Sequence, residues 1–122
     1  MRRTFEHRFV ARIPALLDEG VVYICIEFTI AVHLCACGCG REVATPLAPS
    51  GWKLVFDGES LTLDPSIGNW SFPCKSHYWL ERNRVIPARR WTAQEIAAGR
   101  ARTARLHARS LADSNREPDD LD

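Results

Sequence analysis

Between His33 and Val43 the chain reads HLCACGCGREV, with Cys35, Cys37 and Cys39 on alternate positions and glycine at 38 and 40. Thiols spaced this way serve as a metal clip, as a redox or reactive site, or as small apolar groups in a turn. The glycines let the backbone turn sharply, so that alternate side chains converge instead of splaying. A remote thiol, Cys74, opens a C-x2-H pair with His77 in PCKSHYWL. A turn clip joined to a distant clip is how structural zinc sites tie two loops together, and zinc takes four ligands in a tetrahedron, mostly thiolate and imidazole. The expected set is Cys35, Cys37, Cys39 and Cys74 around Zn2+, with His33 and His77 as substitutes. The spacing is not C-x2-C, so a turn at Gly38 has to bring Cys39 in. Cys25 stands apart and is expected in the core.

The chain has 122 residues, 46% hydrophobic and 25% charged, with a net charge of +1. That composition excludes a disordered chain and fits one globular domain. A core of this size gains from a staple. Five cysteines, an odd count with three of them clustered, argue against a secreted disulfide framework. No signal peptide is visible. The most apolar run, Val21 to Leu34, is short for a membrane span and carries Glu27 in its middle. A cytoplasmic protein that does not enter a membrane is expected, in a reducing compartment where clustered cysteines bind metal.

The elements that must position these residues read as a small α+β protein. Residues 1–20 form an extended lead-in that turns at Asp18-Glu19-Gly20. Val21 to Ile30 is predicted as one strand, with Val22, Ile24, Ile26, Phe28 and Ile30 on the core face and Glu27 on the other. Arg41 to Leu47 returns as a strand that Pro46 ends. Trp52 to Phe56 and Leu61 to Leu63 flank Asp57-Gly58-Glu59 as a hairpin. Pro65 to Pro73 is predicted as a loop, and Lys75 to Val85 as a last strand pair turning near Arg82-Asn83. Thr92 and Glu95 form a capping box ahead of a helix that runs to about Ala112. The organisation is a β-rich zinc-binding domain over 1–91, a basic C-terminal helix over 92–112, and an acidic flexible tail over 113–122.

HLCACGCGREVATPL, then GW, LDPSIGNW and PCKSHYWL, resemble a small bacterial family encoded in ubiquitination-like operons. Those operons also carry ubiquitin-like proteins and relatives of their activating and conjugating enzymes. The resemblance spans about residues 13 to 86. It implies a zinc-containing peptidase of deubiquitinase type that processes or removes the ubiquitin-like protein, with that protein and its activating and conjugating enzymes as partners. The family's polar positions fall here on Glu27, Cys35, Cys37, Cys39, Ser66, Cys74, Ser76 and His77.

Two hydrolytic chemistries are open to those residues. In one, Ser66 or Ser76 is the nucleophile, His77 the base, and Glu27 the group that orients the imidazole. In the other, zinc keeps an open position and activates water, with Glu27 as base. On a regular strand Ser76 and His77 point to opposite faces, whereas Ser66 is able to approach His77 from the preceding segment. His77 cannot be both metal ligand and base. A non-catalytic zinc-binding adaptor for a partner protein is the alternative function. Arg89, Arg90, Arg100, Arg102, Arg105 and Arg109 make the helix region basic, but near-neutral overall charge and the lack of a recognition-helix pattern disfavour nucleic acid.

Overall fold

The computed structural model describes residues 1–114. Eight strands form two four-stranded sheets, followed by one helix. The first sheet runs in the order β1 (Glu6–Phe9), β2 (Val21–Cys25), β3 (Ile30–Leu34), β4 (Glu42–Pro46). β1 pairs with β2 in parallel, and the other neighbours are antiparallel. The second sheet is an antiparallel meander of β5 (Lys53–Phe56), β6 (Leu61–Gly68), β7 (His77–Glu81) and β8 (Arg84–Pro87). Val22, Ile24, Ala31 and Val43 of the first sheet share one core with Leu61, Leu63, Ile67, Tyr78, Leu80 and Val85 of the second. Residues 3–5 stitch the sheets together. Val85 N–H donates to Arg3 O and Phe5 N–H to Asn83 O before the chain enters β1.

Local chemistry explains most of the boundaries. The Asp57 carboxylate accepts from the main-chain N–H of Glu59 and Ser60 at 2.9 and 2.7 Å and so closes the β5–β6 turn. Those bonds hold its pKa down at about 2. Arg82 and Asn83 both adopt positive φ, 49° and 64°, which matches the twist of a two-residue hairpin between β7 and β8. The second unit of the chain begins at Trp91 and holds α1 (Ala93–Ser114). Its capping box is reciprocal: Glu95 N–H donates to Thr92 Oγ1 at 3.2 Å and Thr92 N–H to Glu95 Oε1 at 2.9 Å. The expected acidic tail lies outside the described residues from 115 on, and residues 113 and 114 close the helix. Among the described residues no helix is long and apolar enough to cross a membrane.

Two expectations are corrected. Val21 to Ile30 is not one strand: it breaks after Cys25, turns with Thr29 N–H donating to Ile26 O, and re-enters as β3. Ile26 and Phe28, expected in the core, are 57% and 64% exposed on that turn. Strand propensity is uniform across the run and carries no turn signal, so pairing between its two halves sets the break. The segment from Pro65 is not wholly loop either, because β6 continues to Gly68. Leu63 stands opposite Leu80 and Ile67 opposite Tyr78. Three residues on β6 therefore face one on β7, a bulge at Asp64-Pro65-Ser66. Proline is tolerated there because a bulge residue owes no hydrogen bond to the ladder.

His33 and Tyr78 join the two sheets through the core. The Tyr78 hydroxyl is hydrogen-bonded to His33 Nε2 at 2.7 Å and accepts from the Ala36 N–H at 3.4 Å. Both residues are fully buried, and burial pushes the His33 pKa down to about 4. His33 Nδ1 has no hydrogen-bond partner among the described residues. Tyr78→Phe would strip Nε2 as well and leave the Ala36 N–H without its acceptor. Unsatisfied buried groups of this kind cost about 1–3 kcal/mol each. Urea unfolding of the metal-loaded protein should show a midpoint lowered to match, with an unchanged denaturant slope.

A four-cysteine cluster beside a serine–histidine pair

The thiols of Cys35, Cys37, Cys39 and Cys74 lie within 4.8 Å of one another. Cys35 leaves the end of β3, and the turn at Gly38 and Gly40, both at positive φ, folds Cys37 and Cys39 back beside it. Cys74 comes from the connection between β6 and β7. That connection is closed by main-chain bonds from Asn69 N–H to Ser76 O, Phe72 N–H to Asn69 O and Lys75 N–H to Phe72 O. Cys35 Sγ is 3.4 Å from Cys37 Sγ and 3.9 Å from Cys74 Sγ. Sulfurs bound to one zinc at about 2.3 Å in a tetrahedron stand at similar separations. The donor set is thus able to hold a metal ion, and all four positions of a tetrahedron are met by sulfur. His33 is not part of this cluster, and its Nε2 is hydrogen-bonded to Tyr78.

Ser76 belongs to the surroundings of the sulfurs. Its Oγ lies 3.1 Å from Cys35 Sγ and 3.5 Å from Cys74 Sγ, and accepts from Asn69 Nδ2 at 2.9 Å. The thiols differ in acidity. Burial and neighbouring thiols push Cys37 up to about 12, and burial also raises Cys35. At Cys74 burial acts in the same direction, but hydrogen bonds from Ser76 outweigh it and bring the thiol down to about 7. Cys25, apart from the cluster, is buried and donates to Ala11 O.

His77 stands at the start of β7, three residues after Cys74. Its Nε2 is 2.8 Å from Ser66 Oγ, and its Nδ1 lies 2.5 Å from the main-chain carbonyl of Arg89. A carbonyl only accepts, so Nδ1 carries the proton and Nε2 presents its lone pair to the serine hydroxyl. That is the tautomer a general base needs. The bulge in β6 carries Ser66 to this position. Trp70 packs against the imidazole edge to face, with centroids 4.9 Å apart. It also lies close over Gly68, where a Cβ would come within 2.5 Å of the indole nitrogen. Ser66 and His77 are thereby brought together, and Ser76 and His77 are not. Glu27 lies exposed on the β2–β3 turn, while the atom it was expected to orient faces Arg89 O. Sequence reasoning gave Asn69, Trp70 and the Arg89 carbonyl no part in this site, although Asn69 and Trp70 close the motif LDPSIGNW.

A β protein with four converging thiols, and a serine hydroxyl hydrogen-bonded to a histidine that a carbonyl orients, has the donor set of a structural metal site and the makings of a serine hydrolase. The chain belongs to the family described as the bacterial ubiquitination-like system serine protease (BubE), whose model matches residues 9–88. The match takes in the cysteine cluster, Ser66 and His77, and all strands of the second sheet. No curated protein and no solved structure matches the chain.

Elemental analysis of protein purified under reducing conditions should find one metal ion per chain. Cys35→Ser and Cys74→Ser should each abolish stoichiometric loading, and Cys25→Ser should keep it. Ser76→Ala should keep the stoichiometry and weaken affinity on the order of 10–100-fold in competition with a chromophoric chelator.

Proposed function

We propose that the protein is a serine peptidase of a bacterial ubiquitination-like pathway that processes or removes the ubiquitin-like protein, with Ser66 as nucleophile and His77 as general base. The observation that carries this reading is the Ser66 Oγ to His77 Nε2 contact at 2.8 Å, with Nδ1 held by the Arg89 carbonyl. Ser66 Oγ attacks the carbonyl carbon of the scissile bond while His77 Nε2 takes its proton. The tetrahedral intermediate collapses as the imidazolium returns the proton to the leaving group, which departs and leaves an ester on Ser66. Water, deprotonated by Nε2, then hydrolyses that ester and restores the hydroxyl.

Zinc is the metal we assign to Cys35, Cys37, Cys39 and Cys74, on the strength of an all-thiolate tetrahedral donor set. When bound, it supplies a cross-link that fixes the loop between Ser66 and His77. A set of four thiolates keeps no place for a reacting water, which favours the serine route over the metal-water route. Ser76 and Glu27 have no role in bond breaking in this scheme. Ser76 supports the sulfurs, and Glu27 lies exposed on the β2–β3 turn.

The test is cleavage of a ubiquitin-like precursor extended beyond its mature C-terminus. Ser66→Ala and His77→Ala should each lower kcat by at least about a thousandfold, the usual scale for losing a member of such a pair. Glu27→Ala should leave cleavage unchanged. A fluorophosphonate should label wild-type protein at Ser66 and leave Ser66→Ala unlabelled. Full activity of the Ser66→Ala protein would remove the mechanism. Binding of the precursor without any cleavage by wild type would point to an adaptor instead.

A further inference from the structure

The outer face of the second sheet carries an apolar pair next to the reactive one. Trp79 of β7 and Ile86 of β8 stand directly opposite each other, and each is 41% exposed. Their chain neighbours Leu80 and Val85 form the next rung and are buried in the core. Strand alternation therefore puts the indole and the isoleucine on the outward face. His77 lies two residues before Trp79 on that same face, about 6.8 Å along the strand. Val55, opposite Thr62 on β5, is 43% exposed and also faces outward, since its neighbour Leu54 pairs with buried Leu63. Charged pairs border Trp79 and Ile86, with Glu81 opposite Arg84 two residues along the strands and Lys53 opposite Asp64 on the neighbouring strands, all four exposed; Val55 stands apart, in the row of Thr62 and the Glu81–Arg84 pair. An exposed apolar pair bordered by charge suits a protein-binding surface, and tryptophan is the residue type that most often anchors one.

We propose that the Trp79–Ile86 face docks the folded body of the protein substrate, a domain presenting an aliphatic patch, while its extended C-terminal tail reaches Ser66. This rests on the reading of Ser66 and His77 as the reactive pair. The occupant follows from continuity between the two places. A tail in extended conformation advances about 3.3 Å per residue, so a domain within two or three residues of the scissile bond would meet the sheet face around Ser66. The exposed apolar pair beside His77 on that face is Trp79 and Ile86. Specificity for a whole domain over any peptide of the same tail sequence then resides on this face, and the dyad itself needs only to break the bond.

Steady-state cleavage of two substrates by the full-length, metal-loaded protein separates docking from chemistry. One is the ubiquitin-like precursor, and the other a short fluorogenic peptide with only its tail residues. Trp79→Ala and Ile86→Ala should each raise KM for the precursor on the order of tenfold or more, as loss of an interface anchor does. They should leave kcat within about twofold, the pattern of lost uniform binding. Cleavage of the short peptide and fluorophosphonate labelling of Ser66 should be unchanged. An unaltered KM for the precursor in both variants would overturn the proposal. So would an equal loss on precursor and peptide. A change in oligomeric state on Trp79→Ala with KM unmoved would assign the face to a second copy of the chain and overturn it as well. Failure of the reactive-pair reading shows separately, as absence of Ser66 labelling in wild type. Calorimetric binding of the precursor to Ser66→Ala protein, with and without Trp79→Ala, then still decides the docking claim.

Discussion

Convergence of four thiols on the connection between β6 and β7 is the constraint from which the site follows. Ser66 lies near the end of β6 and His77 at the start of β7. The connection over residues 69–76 is irregular and closed by three main-chain hydrogen bonds, and across it the hydroxyl and the imidazole meet at hydrogen-bonding distance. Cys74 brings that connection beside the thiols of the β3–β4 turn of the other sheet, and Ser76 and Asn69 hydrogen-bond to each other beneath them. Burial first, and neighbouring thiols after it, raise Cys35 and Cys37 and so favour their neutral forms. A divalent cation, once bound, would favour the thiolates and turn the cluster into a cross-link.

The Ser66–His77 pair, proposed here as nucleophile and base, is placed with little regular architecture. A bulge of extra residues in β6 re-aims Ser66 across to the neighbouring strand, a use to which bulges beside active sites are commonly put. The base is held on two sides, by the Arg89 carbonyl at Nδ1 and by the Trp70 indole against its ring. Gly68 is required where it is because the indole occupies the space of a side chain. Ser66, His77 and Trp70 are thus placed by backbone irregularities that sit between two well-formed strands.

Much of the fold was legible because its signals are local. The Asp57 turn, the Arg82-Asn83 turn, the returning strand at Glu42–Pro46 and the Thr92–Glu95 box each depend on neighbours within a few residues. The convergence of Cys35, Cys37, Cys39 and Cys74 was legible for a different reason: few other arrangements explain alternate thiols between glycines. The break at Ile26–Thr29 was hidden, since apolar alternation runs through it without interruption. The continuation of β6 past Pro65 was hidden by the proline. Ser66 and Ser76 look alike in sequence, and only the shift of register in β6 separates the one beside His77 from the one beside the sulfurs. The carbonyl of Arg89 had no signature at all, because main-chain groups are the same at every position.

That carbonyl has a consequence for how the chemistry is driven. It offers the imidazole a dipole where a carboxylate would offer a full negative charge. In the proposed mechanism the cation formed as His77 takes the serine proton would gain less relief from Nδ1, and proton transfer would be less downhill than in a charged triad. A long-lived complex with the substrate would offset that deficit.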